Sequence, residues 1–278
     1  MGYTLEECER LWDEAGRYGT PRERVERARR WLPYYAYIAE GQRTVPFRPE
    51  QDEDGFAAQL FRGGMLTSED SVLDIGAGMG GYALELARRC RTVTALELSE
   101  PCIDVLRTRA DACGIGNISC ICGSWEDDMP EEKFDVAFSS LCPAICNVEE
   151  LRRMESIAKR RCVLITVMRG SYDKHRRAMM SELGIRPQSM VTEAIHYYNT
   201  LYQMGRLPEV RCRTSFHTYD VPAEAIMAQY PVYFEIFGIG REKSIPYLEG
   251  YLKEHADHGV LHDESRINLA MLTWEVPQ

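Results

Sequence analysis

The stretch Val72–Ala87, VLDIGAGMGGYALELA, joins a short apolar run to a helical pattern through a glycine-rich turn. Gly76, Gly78 and Gly81 fit the spacing G-x-G-x-x-G, which is typical of the first strand-to-helix turn in cofactor-binding α/β sheets. Glycine permits the tight backbone and the close approach to a ligand that such a turn requires. Asp74 stands two residues before the first glycine and bears on which ligand the turn suits.

The segments around this stretch alternate between strand-length and helix-length patterns from Ser71 to Met168. SVLDIG, TVTALEL, NISCICG, KFDVAFSS and RCVLITVM are apolar runs typical of buried strands, and helical patterns separate most of them. Such alternation implies parallel strands joined by crossover helices. We therefore predict a doubly wound, Rossmann-like α/β sheet.

The sequence on either side of the alternating region predicts further helices. Residues 1–70 are expected to form an N-terminal helical cap, in which Pro33 kinks or ends a helix. Residues 71–278 are expected to form the main domain. Within it, residues 222–264 are interpreted as a helical insertion that covers the active site and precedes the last strand.

Composition limits the classes of protein to consider. The chain has 278 residues, of which 45% are hydrophobic and 27% charged, as in an ordinary globular protein. No apolar run approaches the roughly 20 residues that span a bilayer, and the polar N-terminus lacks the apolar core of a signal peptide. We therefore expect a cytoplasmic protein without a membrane partner.

The net charge of −10 argues against a nucleic-acid partner, because such partners are bound largely through Lys and Arg contacts to phosphates. A local basic run, RERVERARR, covers residues 22–30. Glutamates interleave in this run at helical spacing, so we interpret it as a solvated helix face.

The cysteines and histidines do not form a convincing metal site. Ten cysteines without a C-x-x-C pair indicate free thiols in a reducing compartment. Cys142 and Cys146 lie one helical turn apart and could bind a soft metal, but two small buried side chains are the favoured interpretation. The spaced histidines His255, His258 and His262 lack a further strong ligand, so we expect no metal.

Asp74 helps to distinguish between two cofactors. In a nicotinamide enzyme its carboxylate would stand beside a pyrophosphate, and each like-charge contact at about 5 Å costs roughly 3 kcal/mol. S-adenosylmethionine has a sulfonium and an α-ammonium group and no phosphate, so a carboxylate that stays ionised here would attract it. The alternative is that Asp74 only caps the following helix.

Glu97 ends the next predicted strand and is a candidate for binding ribose. It follows Gly80 by 17 residues, where a carboxylate accepts hydrogen bonds from both ribose hydroxyls. Both cofactor classes use an acidic residue here, so Glu97 indicates an adenosine site without choosing between them. Glu100 is a nearby competitor at the start of the next helix.

Four segments in this order, VLDIGAGMGGYALELA, VTALELSEPCIDVLRTRA, CGSWED and KFDVAFSSL, resemble those of class I S-adenosylmethionine-dependent methyltransferases. The resemblance covers about residues 70–168. It implies a seven-stranded sheet whose last strand is antiparallel, with catalysis beyond the carboxyl ends of the strands.

The resemblance also implies a cofactor site. Asp74, Gly76 and Gly78 would line the methionine and sulfonium, and Glu97 would hold the ribose. Further implied contacts are Gly80 in the glycine turn, Leu98 on the adenine, and Ser139 and Ser140 near the amino group of the cofactor.

CGSWED departs from the family pattern at Ser124. Many relatives carry an aspartate here that reads the adenine amino group. This departure leaves the adenine contact open, with stacking by Trp125 or a backbone amide as substitutes.

Methyl transfer is an in-line displacement on an activated carbon, so the main requirement is to hold the acceptor close to the methyl group in a site closed to water. A general base is needed only if the acceptor carries its proton at working pH. His196, His217 and Cys142 are weak candidates for that role. His196 lies on an apolar helix face, and His217 alternates along a strand.

We expect a methyltransferase that acts on a small molecule, because a tyrosine-rich cap and insertion would enclose an acceptor of limited size. A nucleic-acid or protein methyltransferase is one alternative, and an NAD-dependent oxidoreductase is another. The acceptor, the atom methylated and the oligomeric state are left open by the sequence.

Overall fold

The computed structural model describes residues 4–16, 20–49, 54–185 and 192–277. The expected cap at 1–70 includes residues 1–3, 17–19 and 50–53, which lie outside the described residues. None of the helices in the described ranges is long and apolar enough to cross a membrane. These helices are α1 (Leu5–Gly16), α2 (Pro21–Arg29), α3 (Leu32–Gln42), α4 (Phe56–Arg62), α5 (Gly81–Ala87), α6 (Glu100–Ala112), α7 (Val148–Ile157), α8 (Lys174–Glu182), α9 (Ala194–Gln203), α10 (Ala223–Glu235) and α11 (Arg241–His255).

A single mixed sheet runs through the molecule. Its strands are β1 (Ser71–Ile75), β2 (Thr92–Glu97), β3 (Ile118–Cys122), β4 (Phe134–Ser140), β5 (Ala158–Val167), β6 (Tyr172–Asp173), β7 (Glu209–Pro222) and β8 (Val260–Glu275).

The strand order confirms the predicted doubly wound sheet. The order is β3-β2-β1-β4-β5-β8, with β7 paired to the far side of β8. The first five strands are parallel, and β8 runs antiparallel to β5, as the family resemblance implied. The count exceeds seven because the two-residue strand β6 pairs with Arg266 and Ser265 of β8. A strand of two residues leaves no periodic signal in a sequence.

The two faces of the sheet are covered by different helices, because side chains alternate across each strand. Leu73 and Ile75 of β1 pack with residues of α1, α7 and α9 on one face. Val72 points to the other face and packs with residues of α4, α5 and α6. The central strands are thus buried on both sides, as expected for parallel strands in a doubly wound sheet.

In the described part of residues 1–70 the N-terminal cap contains the four helices α1 to α4. Thr20 begins α2 with a capping box, in which its side chain accepts from the Glu23 amide and the Glu23 carboxylate accepts from the Thr20 amide. Pro33 was expected to kink or end a helix, but it lies in the first turn of α3. Proline is well tolerated there because the first amides of a helix have no intrahelical partner.

The insertion between β7 and β8 forms a third core with α8. It contains Met179 of α8, Phe234 of α10, Leu248 of α11 and Leu261 of β8. The strands β7 and β8 continue beyond the end of β5 as a two-stranded ribbon that carries this insertion. α10 also contacts α3, so the insertion supports the cap from behind.

Candidate functional site

A cavity of 290 Å³ lies at the carboxyl ends of the parallel strands, and we call it the main cavity. Ligands of open α/β sheets bind at this edge, beyond the carboxyl ends of the strands. The floor is formed by residues that end or follow β1 to β4, and α2 and α3 lie over it. The cap contributes the lining residues Arg24, Val25, Arg27, Ala28, Trp31 and Tyr35. The sheet side contributes Ile75, Gly76, Gly78, Leu96, Glu97, Leu98, Gly123, Ser124, Trp125, Glu126, Leu141, Cys142, Pro143 and Ala144.

The glycine turn after β1 forms one wall of the main cavity. Gly76 has φ of 76°, and a Cβ at this position would collide with the side chain of Cys142. Gly78 has φ of 55° and lies open to the cavity. Glycine is therefore required at Gly76 both by the backbone conformation and by the close approach of the loop that follows β4.

Glu97 lies at the end of β2 and connects to this turn. Its carboxylate accepts hydrogen bonds from the Gly78 amide at 2.9 Å and from the Ser99 amide at 2.8 Å. Burial raises the pKa of Glu97, and these amide donors oppose the shift. The group lines the main cavity, so its remaining lone pairs can accept further hydrogen bonds from a ligand.

Asp74 lies beside the main cavity but is not among its lining residues. Its side chain is only 2% exposed. Burial and the nearby charge of Glu97 raise the pKa of Asp74 to about 8, so at neutral pH it is mostly protonated and not ionised as the sequence analysis expected. The contribution of Asp74 to stability is therefore full below its ordinary pKa of 3.8 and is lost progressively as the pH rises from there through about 8.

The loop after β3 brings Ser124 and Trp125 to the main cavity. The Ser124 amide donates to the Asp128 carboxylate at 2.8 Å, and the Ser124 hydroxyl donates to Asp127 at 3.2 Å. The buried Trp125 indole donates from Nε1 to the Glu150 carboxylate at 2.7 Å. The family pattern has an aspartate at the position of Ser124. In this chain Asp127 and Asp128 lie within four residues of that position and bond to Ser124.

Of the other residues implied by the resemblance, Gly80, Ser139 and Ser140 are not among the lining residues of the main cavity. Gly80 begins α5 with φ of 85°, and a Cβ there would meet the Leu106 side chain. Ser139 is buried and donates its hydroxyl to the Ile75 carbonyl at 3.1 Å, and Ser140 is half-buried at the end of β4. Leu98 does line the cavity.

An ion-pair cluster attaches α2 to the sheet side of the main cavity. Arg24 is 8% exposed, and its guanidinium lies 2.5 Å from the Glu150 carboxylate and 3.7 Å from that of Glu126. Arg27 lines the cavity itself. The interpretation of residues 22–30 as a solvated face is therefore wrong for Arg24 and Arg27, because one turn of α2 faces inward.

Only one of the three weak base candidates lines the main cavity. Cys142 does so, but burial raises the pKa of its thiol to about 12, which keeps it protonated at neutral pH. His196 is half-buried on α9, where burial lowers its pKa, and His217 is exposed on β7. Neither histidine is among the lining residues.

The thiols and histidines make no metal cluster in the part of the chain that the structure describes. All ten cysteines are free thiols, as the sequence indicated. Cys146 is 1% exposed in the core and does not share the cavity with Cys142.

Sequence reasoning missed four residues that shape the main cavity. Tyr35 and Glu126 line it, Arg27 borders it, and Glu150 holds both Trp125 and Arg24. Glu126 follows Trp125 directly and could have been found from its place after β3. The others lie on helices far away in sequence, and no local pattern marks them.

Residues 72–162 match the family model described as “Methyltransferase domain”. Over 88 residues the chain is 39% identical to the Methanosarcina mazei protein named “Probable ribosomal RNA small subunit methyltransferase A”, and the match covers 31% of each chain. Over 73 residues it is 34% identical to the Methanocaldococcus jannaschii protein named “Probable cobalt-precorrin-6B C(15)-methyltransferase (decarboxylating)”, covering 26% of this chain and 40% of that protein. Each match spans less than half of the relative's length.

The fold is similar to that of a Bacillus halodurans protein with an inferred methyltransferase assignment. The TM-score is 0.52 at 15% identity, and the alignment covers 80% of this chain and 99% of the other. The YcgJ protein of Bacillus subtilis gives a TM-score of 0.50 at 14% identity, with 80% and 98% covered. At these identities the likeness concerns the fold alone.

Replacing Arg24 with leucine tests whether the ion-pair cluster holds α2 in place. Glu150 and Glu126 would then be left buried without this guanidinium, and we expect the free energy of unfolding to fall by about 3–5 kcal/mol. Urea denaturation gives the value. Arg22→Leu is the matched control, because Arg22 lies on the exposed side of the same helix and should cost less than about 1 kcal/mol. Equal losses in both variants would contradict the role assigned to Arg24.

Proposed function

This chain belongs to the class I S-adenosylmethionine-dependent methyltransferases, and on that premise we propose that it methylates a small-molecule acceptor in the main cavity. The observation that carries the proposal is the position of this cavity. It has the glycine turn and Glu97 on one side and the cap helices α2 and α3 on the other. Ten free thiols suit a reducing compartment, so we also propose a cytoplasmic location.

The residues present suit S-adenosylmethionine, which supplies an activated methyl group on a sulfonium when it is bound. Gly78 leaves backbone open to the cavity, and Gly76 allows the Cys142 side chain to approach the turn closely. Glu97 presents carboxylate oxygens to the cavity and would accept the ribose hydroxyls. Asp74 lies close enough for the charge of Glu97 to raise its pKa, and a bound cation would favour the ionised form of Asp74.

The adenine would lie beside Leu98 and Trp125, both of which line the main cavity. Trp125 is held in place by its hydrogen bond to Glu150, so its ring position is fixed before a ligand arrives. Ser124 has no carboxylate of its own, but its amide and hydroxyl are already bonded to Asp128 and Asp127. This leaves apolar packing as the main contact that we assign to the adenine.

We assign two of the polar lining residues, Tyr35 and Glu126, to the acceptor. Burial raises the pKa of the Tyr35 phenol, and the charge of Glu97 adds to the shift, so Tyr35 stays neutral and can orient an acceptor by hydrogen bonding. Burial also raises the pKa of Glu126, which makes its carboxylate a stronger proton acceptor than an exposed one. Glu126 would take the proton from an acceptor that carries one.

The composition of the roof supports a small and partly apolar acceptor. Val25, Ala28 and Trp31 face the cavity from the cap, and Leu141, Pro143 and Ala144 face it from the loop after β4. A polymer would have to displace α2, which the buried Arg24 cluster attaches to Glu150 and Glu126. The insertion, in contrast, contributes none of the described lining residues, and Phe234 is fully buried in the third core.

One observation favours a nucleic-acid acceptor instead. A relative over 88 residues is named a ribosomal RNA methyltransferase, and α2 carries the arginines of the basic run. Arg22, Arg29 and Arg30 are exposed and would be available for phosphate contacts. The net charge of −10 opposes this second candidate.

Replacing Glu97 with alanine tests the cofactor site. Loss of a carboxylate that receives two hydroxyls should weaken binding of S-adenosylhomocysteine by about 1.5–3 kcal/mol for each charged hydrogen bond lost. Isothermal titration calorimetry measures this change, with NAD as a ligand that should not bind. Glu100→Ala is the control, since Glu100 is exposed at the start of α6. An unchanged dissociation constant in Glu97→Ala, or tight binding of NAD, would contradict the assignment.

The raised pKa of Asp74 predicts proton release on cofactor binding. A cation stabilises the ionised carboxylate, so S-adenosylmethionine should displace a proton at pH 7 and bind more tightly as the pH rises toward 8. Calorimetry in two buffers of different ionisation enthalpy counts the protons. The Asp74→Asn variant should lose most of this release while remaining folded. If the unaltered protein and Asp74→Asn released the same number of protons, Asp74 would not be the group that ionises when the cofactor binds.

The class of acceptor can be determined by transfer of labelled methyl groups. The protein is incubated with methyl-labelled S-adenosylmethionine and an extract of the source cells, separated into small-molecule, RNA and protein fractions. We expect label in the small-molecule fraction, and much less of it with the Glu97→Ala variant. Label in RNA, together with RNA binding that weakens steeply with salt, would support the second candidate instead.

A further inference from the structure

A second cavity of 160 Å³ lies on the other side of α3 and is separate from the main cavity in its lining. We call it the tyrosine cavity, because Tyr34, Tyr219, Tyr230 and Tyr233 line it. Tyr34 faces this cavity, whereas its neighbour Tyr35 lines the main cavity. The two cavities thus share the helix α3 as a wall but share no lining residue.

Three of the rings form a continuous aromatic surface. The centroids of Tyr34 and Tyr233 lie 5.3 Å apart, and those of Tyr230 and Tyr233 lie 6.0 Å apart. Burial raises the pKa of each of these phenols, so the rings are neutral at physiological pH. Neutral phenol rings present their electron-rich faces, which attract cations.

Two carboxylates lie among these rings. Asp263 is 5% exposed, and its Oδ1 accepts the Glu264 amide at 2.8 Å and the His175 amide at 3.3 Å. Asp173 accepts the Tyr219 hydroxyl at 3.2 Å. Burial, and then the charge of Asp173, raises the pKa of Asp263, so a cation bound beside it would favour the ionised carboxylate.

One positive side chain also lines the tyrosine cavity. Arg176 lies 3.6 Å from Asp173, and its side chain is 46% exposed. The guanidinium offsets Asp173 and also lies near enough to Tyr34, Tyr230 and Tyr233 for their charges to act on it. Among the described residues no guanidinium or ammonium lies within ion-pair distance of the Asp263 carboxylate, so two carboxylates and one guanidinium line this cavity.

We propose that the tyrosine cavity binds a small organic ammonium ion, with its cationic head against Tyr34, Tyr230 and Tyr233 and its charge balanced by Asp263. Aromatic rings combined with a carboxylate are the groups by which proteins recognise alkylated ammonium ions. The volume of 160 Å³ suits a ligand of a few heavy atoms, since one water occupies roughly 30 Å³. The site does not depend on methyl transfer in the main cavity.

Other ligands fit these groups less well. A small anion would meet Asp173 and Asp263 with only the partly exposed Arg176 in its favour. A divalent metal ion requires several oxygen ligands, and no group of three acidic, histidine or cysteine side chains suitable for a metal occurs in the described ranges. A neutral apolar molecule would leave the buried Asp263 carboxylate with its two amide hydrogen bonds and without an opposite charge.

The test compares choline with 3,3-dimethylbutan-1-ol, in which a carbon replaces the nitrogen and the shape is retained. Titrations followed by calorimetry and by NMR should show choline binding at least about tenfold more tightly than the neutral analogue. Saturating S-adenosylhomocysteine should not displace choline, because the two cavities share no lining residue. Equal affinities for choline and its neutral analogue would overturn the proposal, and displacement by S-adenosylhomocysteine would place choline in the main cavity.

Variants separate the contributions of the ring and the charge. Tyr230→Leu should weaken choline binding at least fivefold, whereas Tyr230→Phe, which keeps the ring, should change it less than twofold. Asp263→Asn should also weaken it, and Arg176→Gln should strengthen it by removing the opposing charge. Tyr202→Leu is the control, because Tyr202 is exposed on α9 and lines neither cavity.

Binding of S-adenosylhomocysteine by each variant reports on its folding, so a misfolded Tyr230→Leu protein is recognised. In that case the choline affinities of Asp263→Asn and Arg176→Gln test the proposal. The proposal fails if choline affinity is the same in Asp263→Asn and Arg176→Gln as in the unaltered protein. A change in both variants with the same sign would also contradict it. Loss of cofactor binding in all proteins would concern only the proposed function.

Discussion

The hydrogen bond from the Gly78 amide to the Glu97 carboxylate ties the first turn of the sheet to the end of the second strand. This bond requires Gly78 at φ of 55°, a conformation that residues with a Cβ adopt at a cost. The neighbouring Gly76 must also lack a Cβ, because the Cys142 side chain occupies that space. Three strand ends are thereby brought together around one point. The main cavity exists because their loops meet there without side chains in between.

The parallel part of the sheet could be predicted from local sequence patterns. The alternation of apolar strands and helical periods from Ser71 to Met168 gave the parallel sheet, since each crossover is short and each strand is buried on both faces. The antiparallel direction of β8 followed only from the family resemblance, because a strand pattern carries no direction. β6 was missed since Tyr172–Asp173 is defined by pairing with β8 and not by its own periodicity.

The candidate site was predictable on the sheet side and not on the cap side. Gly76, Gly78 and Glu97 have fixed spacing in the sequence, so their positions follow from the strand ends. Arg24 has the same charge periodicity as a solvated arginine, and its burial depends on Glu150, which is 126 residues away. The protonation of Asp74 likewise depends on burial and on Glu97 in the neighbouring strand. Such effects arise from tertiary contacts, which a single sequence does not encode locally.

The third core, built by α8, α10, α11 and Leu261 of β8, shares no buried residue with the two cores of the central sheet. Segments with separate cores open as separate cooperative units, each with its own free energy of local unfolding. Backbone amides of α10 and α11 should accordingly exchange with solvent deuterium through openings that leave β1 and β4 protected. The glycine turn is anchored in the more protected unit. Tyr230 and Tyr233, in contrast, belong to the third core, so the tyrosine cavity exists only while that core stays folded.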